Sequence, residues 1–298
     1  MPHDDPVVPT SSVCLRDGRT LAYAEYGDVL GTPVFFFHGL PSCRLMHPDA
    51  DVCRALGVHL ITADRPGFGR SDPKPGRTLL DWADDVSELA DHLGIEYFAA
   101  AGTSGGGPFL AACAYILGAR ITRAAIVGGS GPLDDRAVLA GVARERRIGY
   151  ALARHAPFLL RLAMRWRGDP RRDPQHFFDR YTRHNPPADQ AMLQRPDVRA
   201  MFLASYAEAT RQGIDAFAHE VELAAKPWGF PLQEIRVPVT LWHGELDNST
   251  PVGMAQAMAA AIPNATLRII PGEGHLIFLT HWHEIVDDLL RIGATREI

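Results

Sequence analysis

A serine set in a run of small residues, Gly102-Thr103-Ser104-Gly105-Gly106, constrains this chain more than any other stretch. Before it, Tyr97 to Gly102 is apolar and reads as a strand. After it, FLAACAYILG reads as a helix that begins past Ser104 and stops at Gly118. A serine at so tight a strand-to-helix corner must adopt a strained backbone. Gly102 and Gly106 permit this because they lack the Cβ atoms that would collide across the turn. Pro108 falls in the first helical turn, where a missing N–H costs little. The positive end of the helix dipole then lies beneath the serine oxygen.

The remaining composition narrows the class. A chain of 298 residues is long for one average domain and short for three. A net charge of −5 argues against a nucleic-acid partner. MPHDDPVVPT has neither a basic start nor an apolar stretch of signal type. No apolar run approaches the roughly 20 residues of a membrane span. The expectation is a soluble, cytoplasmic protein. Its four cysteines, Cys14, Cys43, Cys53 and Cys113, contain no C-x-x-C pair, so neither zinc nor a disulfide framework is expected. Cys113 reads as a small core residue. Cys43, near the presumed site, is a candidate reactive thiol.

Read in order, residues 1–10 form a tail. Ser12 to Arg16 and Thr20 to Tyr26 flank Asp17-Gly18, a hairpin signal. Pro33 to Phe37 is an unbroken apolar run that suits a strand buried on both faces of a parallel sheet. A helix from Arg44 to Leu56 leads to the strand Val58 to Thr62. The Gly/Pro-rich Asp64 to Asp72 reads as structural turn chemistry. Thr78 reads as the N-cap of a helix reaching His92, with Leu79, Trp82, Val86, Leu89 and Leu93 at helical spacing. A strand from Ile121 to Gly128 follows.

From Leu133 to Leu232 strand runs vanish and prolines interrupt helical segments. A hundred residues is too long for a loop. The segment 133–232 therefore reads as a helical cap inserted into a core formed by 1–132 and 233–298. Asp134 and Asp135 read as caps of its first helix. Strand–helix alternation resumes with Val237 to Trp242, Pro251 to Ala261, Ala265 to Ile270 and a closing helix from Ile277 to Ile292. This rhythm predicts an α/β fold with a mostly parallel, doubly wound sheet. Such sheets place ligands at their carboxyl edge.

A serine hydroxyl needs a base to take its proton, and the base needs a carboxylate to hold its tautomer. Past the corner the chain supplies both. Asp247 ends WHGELD after one apolar strand, and His275 ends GEGH after the last. Glu245 and Asp134 are alternative acids. The order Ser, Asp, His and the strand–G-x-S-x-G–helix context resemble the α/β-hydrolase superfamily, specifically its capped serine hydrolases. The likeness runs from about residue 12 to 292, with no recognisable motif in the cap. It implies Ser104 as nucleophile, Asp247 as acid and His275 as base. The turn His38-Gly39-Leu40 matches the family's oxyanion loop, which implies the backbone N–H groups of Leu40 and Gly105 as the oxyanion hole. His38 itself reads as a structural residue beneath that loop.

The activity so implied is hydrolysis of a small or medium carboxylic ester, or a related acyl bond, through an acyl-enzyme on Ser104. Carbon–carbon bond hydrolysis, lactone hydrolysis and cofactor-free perhydrolysis share the same triad. A small-molecule receptor on this scaffold is a reading from a different class. Epoxide hydrolases and haloalkane dehalogenases share the His-Gly-x-Pro turn but use an aspartate where Ser104 stands. Proline iminopeptidases carry a different, glycine-rich turn. No cofactor and no metal is called for, and His281-Trp282-His283 reads as surface. The partner is a small acyl substrate, and no sequence signal sets the oligomeric state. Cap arginines, including Arg144, Arg146, Arg147, Arg161, Arg165, Arg167, Arg171 and Arg172, read as a solvated face or as steering for an anion. The cap aromatics Trp166, Phe177, Phe178, Tyr181, Phe202 and Tyr206 read as packing, with some forming the ceiling of an apolar pocket.

Overall fold

The computed structural model describes residues 10–133, 136–166 and 173–291. The tail at 1–9, Asp134, Asp135, Arg167, Arg171, Arg172 and the end of the closing helix at Ile292 lie outside them.

The chain opens with β1 (Ser11–Cys14), β2 (Thr20–Gly27) and β3 (Thr32–Phe37), followed by α1 (Ala50–Ala55), β4 (Val58–Ala63) and α2 (Asp81–His92). β5 (Phe98–Thr103) runs through a single 3-10 turn, Ser104–Gly106, into α3 (Gly107–Ile116), and β6 (Ile121–Val127) follows. The described residues between β6 and the next strand are helical only: α4 (Arg136–Gly141), α5 (Arg144–His155), α6 (Pro157–Trp166), α7 (Pro174–Thr182), α8 (Pro187–Leu193), α9 (Pro196–Ala209) and α10 (Asp215–Ala224). β7 (Val239–Gly244), α11 (Val252–Ala261), β8 (Ala265–Ile270), α12 (Ile277–Thr280) and α13 (Trp282–Leu290) close the chain.

The eight strands form one sheet in the order β1-β2-β4-β3-β5-β6-β7-β8. β1 and β2 pair antiparallel, β2 meets β4 antiparallel, and every later pairing is parallel. Central strands are buried on both faces, which is why β3, β4 and β5 are mostly apolar or small rather than alternating. One face packs on α2, α3 and α11 through Trp82, Val86, Phe109, Cys113 and Met258. The other packs on α1 and α13 through Cys53, Trp282 and Ile285, and continues into Phe178, Phe202 and Tyr206 of the helical segment.

Three element boundaries differ from the sequence reading, the first two for a local polar reason. The helix expected from Arg44 begins at Ala50, where the Asp49 carboxylate accepts from the N–H groups of Asp51 and Val52. Arg44 is drawn away instead, its N–H donating to Asp64 at 2.7 Å. Thr78 does not cap α2; its N–H and hydroxyl both donate to Asp81 at 2.7 Å, and the helix starts there. The closing helix breaks at His281 into α12 and α13.

The strand order creates the switch point that sets up the site. From β3 the chain goes to β4 on one side, then returns to place β5 on the other. Phe37 pairs with Gly102, so the loops leaving β3 and β5 emerge side by side at the carboxyl edge, where open α/β sheets bind ligands.

Candidate active site

Ser104 has φ 52°, the only positive φ of a non-glycine residue among the described residues. L-residues avoid that region, so the corner stores strain of the kind concentrated at functional sites. Packing holds it: a Cβ on Gly106 would sit 2.3 Å from the Phe37 carbonyl oxygen, so only glycine lets the turn nest under β3. Ser104 is half-buried and lines a cavity with Leu40 and His275. Leu40 and Gly105 are neighbours across that wall. A Cβ built on Gly105 would lie 2.8 Å from Leu40 Cβ and 3.5 Å from its backbone nitrogen.

Asp247 and His275 stand three and five residues past the ends of β7 and β8. His275 Nδ1–H donates to Asp247 Oδ2 at 2.8 Å, which leaves Nε2 as the free ring acceptor. Asp247 Oδ1 accepts from the N–H groups of Ser249 at 2.8 Å and Thr250 at 2.9 Å, and the Thr250 hydroxyl lies 2.8 Å from Oδ2. Both partners are buried. Burial alone would raise the Asp247 carboxyl; His275 and the surrounding donors hold it below the usual carboxylate range. Burial alone would lower His275, but Asp247 beside it outweighs this and raises it. The pair lies two and three strands from Ser104, with β6 between. Gly128, at φ 53°, ends that strand without a side chain; a Cβ there would come within 3.4 Å of both Asp247 Oδ2 and His275 Nδ1.

The rival acids stand elsewhere. Exposed Glu245 accepts from the Gly272 N–H at 3.1 Å, and Asp134 lies outside the described residues. His243 also faces Asp247, with Nε2 3.4 Å from Oδ2, but it donates to the Thr250 carbonyl and burial holds it below the ordinary histidine value.

Cys43 corrects an expectation. It is fully buried, its Sγ 3.6 Å from the Ser205 carbonyl oxygen, and burial pushes the thiol well above its ordinary range. A thiol that cannot ionise is not a reactive one. His281 does not stand free: Nε2 lies 3.3 Å from Glu273, and His283 Nδ1 lies 3.6 Å from Asp287. Among the described residues no cluster of histidine, cysteine and carboxylate is arranged to hold a metal.

The sequence reading missed the supports of the site. Asp64 to Asp72 does more than turn the chain: Arg65 reaches beneath the loop at His38. Its guanidinium donates to the His38 carbonyl at 2.7 Å and the Gly39 carbonyl at 3.2 Å. Glu220 of α10 holds that guanidinium with bonds of 2.7 and 2.8 Å and takes a third, at 2.7 Å, from Arg77. All three are buried. Burial opposes ionisation of Glu220, and the two arginines overcome it, holding its pKa at about 2. His38 donates from Nδ1 to the Gly39 carbonyl at 2.9 Å; burial and Arg65 keep it neutral, well below the ordinary histidine value.

Other contacts tie the helical segment to the site loops. Buried Asp189 of α8 accepts from the N–H groups of His275 and Leu276, both at 2.9 Å. The Tyr181 hydroxyl donates to the Leu40 carbonyl at 3.1 Å. Arg146 donates to the Ser249 carbonyl at 3.0 Å. The other described arginines near the start of the segment include Arg161, paired with Glu222 at 2.6 Å, and Arg165, 3.6 Å from Asp215. No signal in a single sequence pairs Asp189 with residue 275 or Glu220 with residue 65, because each contact crosses from the helical segment to a strand end.

Comparison with known proteins gives a consistent picture. A family model described as alpha/beta hydrolase fold matches residues 32–281. The non-heme chloroperoxidase of Streptomyces lividans is 28% identical over 94% of this chain and 98% of its own length. A bifunctional esterase/perhydrolase of Acinetobacter calcoaceticus is 25% identical over 93% of this chain and 97% of its own. Among solved structures, a thermophilic esterase from Thermogutta terrifontis superposes with a TM-score of 0.65 at 23% identity, covering 95% of this chain and 98% of that one. That structural likeness speaks for the fold.

Proposed function

The chain belongs to the alpha/beta hydrolase fold family, and from that premise we propose that it is a serine hydrolase cleaving small or medium carboxylic esters through an acyl-enzyme on Ser104. The observation that carries this reading is the strained Ser104 sharing one cavity with His275, whose Nδ1 is already engaged by Asp247. His275 Nε2 takes the Ser104 proton as Oγ attacks the ester carbonyl. The N–H groups of Leu40 and Gly105 hold the oxyanion. The bond to the alcohol breaks as His275 returns the proton to the leaving oxygen. Water, deprotonated by the same imidazole, then releases the acid. Arg65 and Glu220 position the oxyanion loop from below, and the helical segment at 133–232 acts as a cap whose residues close over the cavity.

The cavity favours small, uncharged acyl groups. Its enclosed volume is about 40 Å³. Among the described residues lining it there is no arginine, lysine, aspartate or glutamate. The described cap arginines therefore offer an anion no partner within the cavity. A second reading, transfer of the acyl group to hydrogen peroxide in place of water, is favoured by the esterase/perhydrolase likeness. It uses the same acyl-enzyme: peroxide oxygen attacks the acyl carbon, Ser104 leaves with a proton, and a peracid forms.

The deciding experiment is a panel of aryl esters, lactones and ester plus peroxide, each run against wild type and Ser104→Ala. Two further outcomes are expected. Because His275 must be neutral to act as base, activity should rise with pH, with a midpoint above the ordinary histidine value of about 6.5, since Asp247 raises it. A kcat/KM profile flat from about pH 5 to 8 would remove His275 from this role. Asp189→Ala should lower kcat by about 10- to 100-fold, since loss of two backbone acceptors lets the His275 loop drift and small misplacements are costly. The pH midpoint should also fall, because Asp189 helps to raise His275. An unshifted midpoint with full kcat would mean that Asp189 only packs.

A further inference from the structure

Tyr206 of α9 is only 2% exposed and forms part of the cavity wall with Ser104 and His275. Its ring stands edge-on to Phe177 at 5.1 Å and to Phe202 at 5.8 Å. A phenylalanine would fill that space equally well, so the packing does not account for the hydroxyl. Buried tyrosine hydroxyls ordinarily find a partner, and leaving one unpaired costs roughly 1–3 kcal/mol. Four other hydroxyls of this wall are paired: Tyr181 donates to Leu40, Thr182 to Phe178 at 2.8 Å, Ser42 pairs with Ser205 at 2.9 Å, and Ser249 accepts from Arg146 at 3.3 Å; only Ser104, the proposed nucleophile, and its neighbour Thr103 share the unpaired state of Tyr206 among the described residues. Tyr206 Oη has no hydrogen-bond partner among the described residues, yet it is not among the buried polar atoms sealed in the core without one. A hydroxyl held in a cavity wall and unpaired among the described residues is free to meet a ligand.

We propose that Tyr206 is a specificity-determining residue that hydrogen-bonds an uncharged oxygen function, carbonyl, hydroxyl or ether, carried on the substrate in addition to the reacting ester. This rests on the serine-hydrolase reading above and narrows its substrate class. The oxygen function is uncharged for two reasons. No charged side chain lines the cavity among the described residues, and burial keeps the phenol protonated, a neutral donor. A carboxylate there would be desolvated without a counter-ion. A plain alkyl chain would leave the hydroxyl unpaired, so the site penalises it relative to an oxygenated chain of equal length.

The test is the ratio of kcat/KM for phenyl levulinate over phenyl pentanoate, and for phenyl methoxyacetate over phenyl butyrate, in wild type and Tyr206→Phe. Each pair matches chain length and differs by one oxygen function. The variant should lower at least one ratio by about 5- to 100-fold, the worth of one buried hydrogen bond. Ratios unmoved in both pairs would assign Tyr206 to packing alone. A binding arm separates this from failure of the hydrolase reading. Levulinamide and pentanamide are titrated calorimetrically against Ser104→Ala with and without Tyr206→Phe. Loss of a levulinamide preference in the double variant supports the proposal even if neither ester is turned over. Equal binding of the two amides to Ser104→Ala overturns it, whatever the kinetics of the esters.

Discussion

Replacing Ser104 with alanine is expected to lower turnover of a short-chain aryl ester by about 10³-fold or more and to abolish labelling by a serine-directed organophosphonate. The loss is large because the proposed mechanism gives the covalent bond to Ser104 Oγ alone. Thr103 precedes it inside β5, and Cys43 is buried with its thiol pushed up. Alanine should fold there. It is no bulkier than serine, and φ 52° strains both alike. Residual hydrolysis would come from the oxyanion donors alone. Phosphonate labelling that persisted in Ser104→Ala would place the nucleophile elsewhere.

The second large effect is on stability and comes from a residue with no part in the chemistry. Glu220→Ala should destabilise the protein by about 3–5 kcal/mol, the range for removing one member of a buried ion cluster. The alanine would leave Arg65 and Arg77 charged, buried and without their carboxylate. The melting temperature should fall on the order of 10 °C. Surviving protein should also turn over more slowly, because Arg65 would no longer be aimed at the carbonyls of His38 and Gly39. A triple variant, Arg65→Met, Arg77→Met and Glu220→Leu, tells stability from positioning. Apolar replacement of a whole buried cluster is often tolerated, so it should melt above Glu220→Ala yet remain slow. Thermal unfolding of Glu220→Ala indistinguishable from wild type would mean that the cluster is hydrated in solution and carries no structural weight.

Those two predictions differ in where their warrant came from. Ser104 announces itself locally, since a tight strand-to-helix corner built from glycines has few uses. The family model spanning residues 32–281 agrees with the fold inferred from the alternation of apolar strands and helices. Asp247 and His275 were selected by their places after the last strands, and the 2.8 Å bond between them follows from β7 and β8 being paired neighbours. Glu220 and Asp189 leave no such trace, and Tyr206 stands out only as one of several cap aromatics. They sit in helices whose residues repeat with ordinary helical spacing, and nothing in that spacing names a distant partner. Arg65 was visible but read as turn chemistry, because the two carbonyls and the carboxylate it serves lie on other elements.

The sequence alone determines the serine at the strand-to-helix corner, the order of the candidate acid and base behind it, and the doubly wound core. Each is encoded by short-range constraints: backbone strain that only small residues relieve, and apolar runs that only a sheet covered on both faces can bury. What the tertiary structure decided was which polar groups remain unpaired. Arg65 loses its freedom to Glu220, and Cys43 its reactivity to burial. Tyr206 keeps a hydroxyl with no partner among the described residues, in a side chain that lines the cavity. Hydrogen bonds and desolvation act over a few ångströms in space, whatever the separation along the chain.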